Sequence, residues 1–343
     1  MRLKHRTSPG LIIGLVGAVL LAQPASGRAQ KKPGAPPPDP AIAYQKPVGG
    51  NINVMVMNAD GSNQRAVYNR GQSYTPSWSP DGKKLVFANS GTSNGPGIYI
   101  INLDGTGLCK LAALNNTQPV WTTPVWSPEP VGSNYWIVYA DYSGARRDLF
   151  AVKADCSNPG TPINLTNTPA DEEWFPSWSR FANHIAVQLA PGGSTPEVAI
   201  YDVSVGNGTL QLSNQVKLTT LGLFLGTWTA APDYGKGDDR IVLESTGDPG
   251  AWNDLWVTDL TQSGTYNLTH SADLLEQDSS WSPDGTAVVF YGLPVVSGQP
   301  TAPGAIYKLS YNATTGAWVR TMLLQYGNSS LYPKWRRCSP CGP

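Results

Sequence analysis

The chain has 343 residues, 24 Lys plus Arg against 24 Asp plus Glu, 14% charged residues, 36 Gly and 30 Pro. No basic run exceeds two residues, the pairs Arg146-Arg147 and Arg336-Arg337 included, which argues against a nucleic-acid partner. Low charge with much Gly, Pro, Ser, Thr and Asn suits a turn-rich, all-β exported protein.

Met1–Arg6 carries Arg2, Lys4 and Arg6, the apolar run Leu11–Ala22 follows, and Ala25 and Ala29 are candidate cleavage ends. This is the layout of a secretory signal peptide over residues 1–29. The run is shorter than the roughly 20 residues that span a bilayer, so no transmembrane segment is expected in the mature chain. Cleavage after Ala29 leaves 20 basic and 24 acidic residues, a net charge of −4. Residues 30–41 are Pro-rich and read as a flexible lead-in. The expected location is periplasmic or secreted.

From residue 42 the chain reads as short strands: Ile42–Gln45, Ile52–Met57 and Arg65–Tyr68 come first. Ser77-Trp78-Ser79-Pro80-Asp81-Gly82 then ends a strand at the Trp and turns the chain. Ser, Pro and Gly suit the first, second and fourth positions of a type I turn. Strands over Lys84–Ala88 and Ile98–Leu103 follow, then an Asp104-Gly105 turn and a strand ending near Leu111. The hexapeptide returns as Ser280-Trp281-Ser282-Pro283-Asp284-Gly285, with degenerate copies at Trp126, Trp178, Trp228 and Trp335. The spacings of the six Trp residues are 48, 52, 50, 53 and 54. Third strands recur at Asp148–Val152, Glu197–Val203, Asp254–Asp259 and Ala305–Leu309. Fourth strands end in Asn164-Leu165-Thr166, Lys217-Leu218-Thr219 and Asn267-Leu268-Thr269.

A four-strand unit repeating every 40–50 residues or so is the signature of a β-propeller. The N-terminal stretch supplies three strands without a first. Leu331–Trp335 supplies a first strand with nothing after it. Joined, they make a sixth blade and remove two exposed sheet edges. The expectation is an all-β, six-bladed propeller over residues 42–337 with a Cys-containing tail at 338–343.

The Pro-x-Trp-Ser-Pro-Asp-Gly unit, with its following strands and Asp-Gly turn, resembles the WD40-like PD40 repeat of the TolB-like propeller family. The likeness covers essentially the whole mature chain and implies the fold far more strongly than an activity. The Trp228 copy reads Thr-Trp-Thr-Ala-Ala-Pro-Asp, the Trp178 copy lacks Pro-Asp-Gly, and the residues before the propeller leave no room for the family's separate α/β domain.

Four cysteines in an exported chain point to disulfides, with three connectivities open. Strand polarity places all four near one face, which favours Cys109–Cys156 and Cys338–Cys341. Cys338-Ser-Pro-Cys341 reads as a staple or capping tail rather than a redox pair, because no helix N-terminus precedes it. His184 and His270 are the mature chain's two histidines and no third completes a metal set. Gly91-Thr92-Ser93-Asn94-Gly95 matches a nucleophile elbow in letters but lies between two strands of one blade.

The loops before each first strand ring the channel mouth and carry Tyr74, Trp121, Trp174, Phe175, Phe224 and Tyr332. The second-to-third loops on the same face add Arg146, Arg147, Trp252 and the Leu293–Pro303 insert. Any one aromatic is explained as well by packing between blades; as a set they read as a binding mouth on a rigid scaffold. Trp121, Trp174 and Phe224 come from consecutive blades and are expected to form one apolar arc. Acidic residues cluster at Asp171-Glu172-Glu173 and at Asp273, Glu276 and Asp278. Glu172, Glu173, Glu276 and Asp278 are weak Ca²⁺ candidates, or solvated loop acids.

Three functions stay open: a non-catalytic propeller binding a protein or peptide of the cell envelope at its mouth, a calcium-dependent hydrolase or lactonase, and a carbohydrate- or envelope-binding module. The first is favoured, with no catalytic residue and no cofactor expected.

Overall fold

The computed structural model describes residues 40–91, 95–117, 119–179, 181–193, 197–218, 240–245, 252–259, 262, 264–327 and 329–336. The signal-peptide region, most of the lead-in, Phe224, the Trp228 repeat, Ser93 and the Cys338–Cys341 pair lie outside them. Strands dominate the described residues, which include no α-helix and no helix long and apolar enough to cross a membrane.

The strands form six antiparallel sheets arranged as a propeller. Strands are named a to d outward from the channel. Blade 1 is Ser73–Trp78, Lys84–Asn89, Gly97–Asn102 and Cys109–Ala113. Blade 2 is Val125–Trp126, Trp136–Ser143, Arg146–Lys153 and Ile163–Asn164. Blade 3 is Glu172–Trp178, His184–Ala190, Glu197–Gly206 and Thr209–Lys217. Blade 4 shows b, c and d at Arg240–Ser245, Asp254–Asp259 and Tyr266–Asn267. Blade 5 is Leu274–Trp281, Ala287–Val296, Ala305–Asn312 and Ala317–Gln325. Blade 6 joins Lys334–Trp335 to Ile42–Val48, Asn51–Met57 and Arg65–Tyr68.

That last pairing closes the ring as the repeat predicts. Ile42 lies opposite Trp335 and Ala43 opposite Lys334. Gln45 N–H donates to the Leu331 carbonyl at 2.8 Å, and Arg336 N–H to that of Ala41 at 2.7 Å. The core is divided among the junctions. Among the described residues six apolar clusters each bridge two neighbouring blades, and the one between blades 5 and 6 draws on both chain ends through Ile42, Tyr44, Leu331 and Trp335.

The repeated hexapeptide acts through its turn. Ser79 Oγ donates to Asp81 Oδ1 at 2.7 Å and accepts from Lys84 N–H at 2.8 Å. Ser282, Asp284 and Ala287 repeat this at 2.6 and 2.9 Å. Gly82 and Gly285 sit at φ 66° and 68°, where glycine is unstrained. Blade 3 lacks Pro-Asp-Gly yet keeps the device: Asn183 Oδ1 accepts from Ser179 Oγ at 2.7 Å, and Ala182 occupies the left-handed position at φ 54°. The blade 3 c–d hairpin is longer than the sequence reading of Glu197–Val203, because Asn207-Gly208, at φ 52° and 74°, is a tight hairpin turn.

Cys109 and Cys156 are disulfide-bonded with Cα atoms 6.0 Å apart. The bridge ties the start of strand d in blade 1 to the c–d loop of blade 2 on one face, as strand polarity predicts.

Candidate functional site

The site builds from two repeated features of the sequence. The first is a buried polar frame between blades. Asp148 opens the inward run of blade 2 strand c; its carboxylate accepts from Asn164 Nδ2 at 2.6 Å and from Thr168 N–H at 3.2 Å. Glu173, on strand a of blade 3, is fully buried and accepts from Thr166 Oγ at 3.2 Å and Thr168 Oγ at 2.7 Å. Between blades 4 and 5 the same frame returns. Asp254 accepts from Asn267 Nδ2 at 2.6 Å and Ser271 N–H at 2.9 Å. Glu276 accepts from Thr269 Oγ at 2.6 Å and Ser271 Oγ at 2.9 Å. The recurring Asn-Leu-Thr ending is therefore structural: its Asn and Thr each bind one of two facing carboxyl groups. Burial pushes Glu173 and Glu276 up to about 7, and the nearby Asp148 and Asp254 charges act in the same direction.

The second feature stands on the first at the rim between blades 2 and 3. Arg147 is the residue before Asp148 and Glu172 the residue before Glu173. Arg147 pairs across its ladder with Tyr142. Its guanidinium lies 4.5 Å from the Tyr142 ring centroid, 5.0 Å from that of Trp121 and 6.0 Å from that of Trp174. It donates to Tyr142 Oη at 2.7 Å and to Glu172 Oε1 at 3.2 Å. Arg146 adds a longer pairing with Glu172 Oε2 at 4.0 Å. Arg147 is nearly buried while Trp121 is 45% exposed. A cation held by three ring faces and one carboxylate is fixed before any ligand arrives, and such contacts contribute about 0.5–2 kcal/mol each.

The structure thus joins Trp121, Trp174, Arg146, Arg147 and Glu172 and separates other expected residues from them. Phe175 and Tyr332 are corrections. Sequence reading places them in mouth loops, yet they are 6% and 8% exposed. Strand a begins earlier, at Glu172 in blade 3, and bends three residues before its Trp. There Thr75, Thr123, Phe175, Asp278 and Tyr332 all have positive φ, at 50°, 38°, 48°, 58° and 44°. Ladder slips mark the bend at Tyr74/Ser77, Trp174/Ser177 and Gln277/Ser280. Sequence reasoning missed this bulge; its only signal is the fixed offset from Trp. The same a strands line a cavity of about 60 Å³. Thr75 and Thr123 line it too, and their buried hydroxyls lack a hydrogen-bond partner among the described residues.

Tyr74 is half-buried, and burial raises its phenol. Trp252 donates its indole N–H to the Gly298 carbonyl at 3.3 Å, tying blade 4 to the blade 5 insert. The weak calcium candidates have protein partners: Glu172 meets Arg147, Glu173 and Glu276 meet hydroxyls, and Asp278 accepts from Ser330 Oγ. No group of three or more His, Cys, Asp or Glu is placed to hold a metal among the described residues. His184 Nε2 meets Asp202 at 3.2 Å, and His270 is exposed.

No family model matches the chain. It is 27% identical over 246 residues, 71% of its length, to the Tol-Pal system protein TolB of Francisella tularensis subsp. mediasiatica, of which it covers 52%. It is 33% identical over 76 residues, 22% of its length, to the protein of the same name from Rhizorhabdus wittichii, covering 17% of it. The chain therefore spans about half the length of the Francisella relative. Among solved structures, TolB from Acinetobacter baumannii superimposes with a TM-score of 0.61 at 19% identity, over 87% of this chain and 67% of that one. A putative TolB from Agrobacterium tumefaciens gives 0.58 at 17% identity, over 86% and 97%. The repeat, the closed ring of six blades and these relatives agree on the fold: the chain is a six-bladed β-propeller similar to that of TolB.

Proposed function

We propose that this chain is an exported, non-catalytic propeller that binds a protein or peptide of the cell envelope at its loop-rich mouth. The observation that carries the reading is the Arg147 cluster, which sets an exposed Trp121 beside a preorganised cation and Trp174. Trp and Arg are the side chains that dominate binding hot spots, and loops on a rigid sheet scaffold commonly carry recognition. The sequence relatives, named as Tol-Pal system proteins, support an envelope partner in the same exported compartment.

The experiment is cross-linking in the native envelope with wild-type and Trp121→Ala chains, both checked for a wild-type melt. The reading expects one dominant cross-linked protein whose yield falls sharply in the variant. Equal cross-linking by the two chains places the interface elsewhere.

A further inference from the structure

The outer rim between blades 2 and 3 holds a second concave feature, which backs onto the Glu173 frame. It arises from a mismatch in strand length. Strand d of blade 2 has two residues, whereas the facing c and d strands of blade 3 have ten and nine. The chain leaves the short strand through Leu165 and turns at Asn167, where φ is 47°. A slip in the facing ladder between Ile200 and Asp202 leaves Tyr201 out of register, and Asn214 takes φ 49°. The result is a cleft of about 290 Å³ in which Thr166, Thr168, Tyr201, Asn214 and Gln215 supply polar groups and Leu212 an apolar patch. That volume lies at the small end of ligand sites, which run from roughly 300 to 1,000 Å³.

The hydrogen-bond pattern selects a ligand class. Thr166 Oγ accepts from Leu149 N–H at 3.1 Å and donates inward to Glu173, and Thr168 Oγ also donates inward. Their remaining lone pairs are acceptors. Asn214 Nδ2 donates to Asp202 at 2.8 Å, which leaves its carbonyl oxygen to accept. Tyr201, 7% exposed, accepts from Gln215 Nε2 and keeps its own hydrogen to donate. No Lys, Arg, Asp or Glu is among the residues lining the cleft. An uncharged wall of mixed acceptors and donors beside one apolar patch matches a neutral ligand whose hydroxyls both donate and accept. An anion would meet no cation there, and a cation would meet no carboxylate.

We propose that this cleft binds a neutral saccharide, one pyranose ring seated with its hydroxyls toward Thr166, Thr168 and Tyr201 and its apolar face on Leu212. The test is saturation-transfer NMR and calorimetry on the full chain with glucose and N-acetylglucosamine, and with N-acetylneuraminic acid and glucosamine as charged controls. Neutral sugars are expected to bind in preference to both controls. Gln215→Ala, at an exposed position, and Leu212→Trp, which fills the cleft, are each expected to weaken binding about fivefold or more. Trp121→Ala is expected to leave sugar binding unchanged, so the mouth and the cleft report separately. The proposal is overturned by absence of transfer from neutral sugars, by equal binding of the charged controls, or by loss in Trp121→Ala with none in Gln215→Ala.

Discussion

The junctions between blades 2 and 3 and between blades 4 and 5 are built on one plan and finished differently. Below the rim they share an Asp, an Asn, two hydroxyl residues and a buried Glu in equivalent places. Above it, Arg147 and Glu172 flank the first frame, while the sequence places Asn253 and Leu275 beside the second. The shared part holds blades together. The unshared part gathers Trp121, Tyr142 and Trp174 around one cation. Under the proposed function, the place where the repeat departs from itself above an unchanged frame is the recognition surface.

The largest expected effect tests the sameness of the frames. Asp148→Ala strands the half-buried Asn164 amide and Asp254→Ala the buried Asn267 amide, each with a backbone N–H. Each should cost about 3–5 kcal/mol in urea unfolding, and the two costs should agree within about 1 kcal/mol. A large inequality breaks the comparison, because the frames then carry different loads.

A smaller effect follows from Glu173 and Glu276. Burial holds both at about 7, above their ordinary value of 4.5. The folded chain therefore binds more protons than the unfolded chain between those values, and stability falls as pH rises through that window. The stabilisation is fully present below about pH 4.5 and lost by about pH 7, at roughly 2–3 kcal/mol for each Glu. Asp278, also raised to about 7 by burial, adds in the same direction. Asp60 and Asp104 are lowered by hydrogen bonds from Ser62 and Thr106, so they titrate below the window. Denaturant midpoints across pH 5 to 8 or so check this. Glu173→Gln with Glu276→Gln should flatten most of the slope, and an unchanged slope assigns it to other groups.

The smallest effect sharpens the reading of the degenerate repeat. Ala182 holds a left-handed φ that glycine holds in blades 1 and 5. Ala182→Gly should raise stability by no more than about 0.5 kcal/mol, since relief of the φ strain is partly offset by the lost buried methyl and the greater freedom of glycine when unfolded. A thermal melt reads the sign; a drop shows that the blade 3 turn is not strained.

Much of this was legible in the sequence. Six Trp at near-equal spacing give the blade number, and the incomplete ends give the closure that Ile42 and Trp335 form. Strand polarity gives Cys109 with Cys156. The inner-strand bulge was not legible, because its occupants are Thr, Thr, Phe, Asp and Tyr, with no glycine or asparagine to announce a left-handed residue. The bulge at these positions leaves Phe175 and Tyr332 buried, with Phe175 lining the central cavity. At the mouth, the sequence reading joins Trp121 and Trp174 in one arc with Phe224 and names Arg147 apart from them. That a single guanidinium joins them depends on the register of Arg147 with Tyr142, which composition does not reveal.

The central claim is that the blade 2–3 rim is the recognition surface and the blade 4–5 rim is not. Once the partner is identified by cross-linking, its affinity should be measured for wild type, Trp121→Ala and Asn253→Ala, each shown to melt as wild type does. The account predicts a loss of more than about 2 kcal/mol, roughly thirtyfold in Kd, for Trp121→Ala and little change for Asn253→Ala. Equal affinities for wild type and Trp121→Ala, or a loss confined to Asn253→Ala, would contradict it.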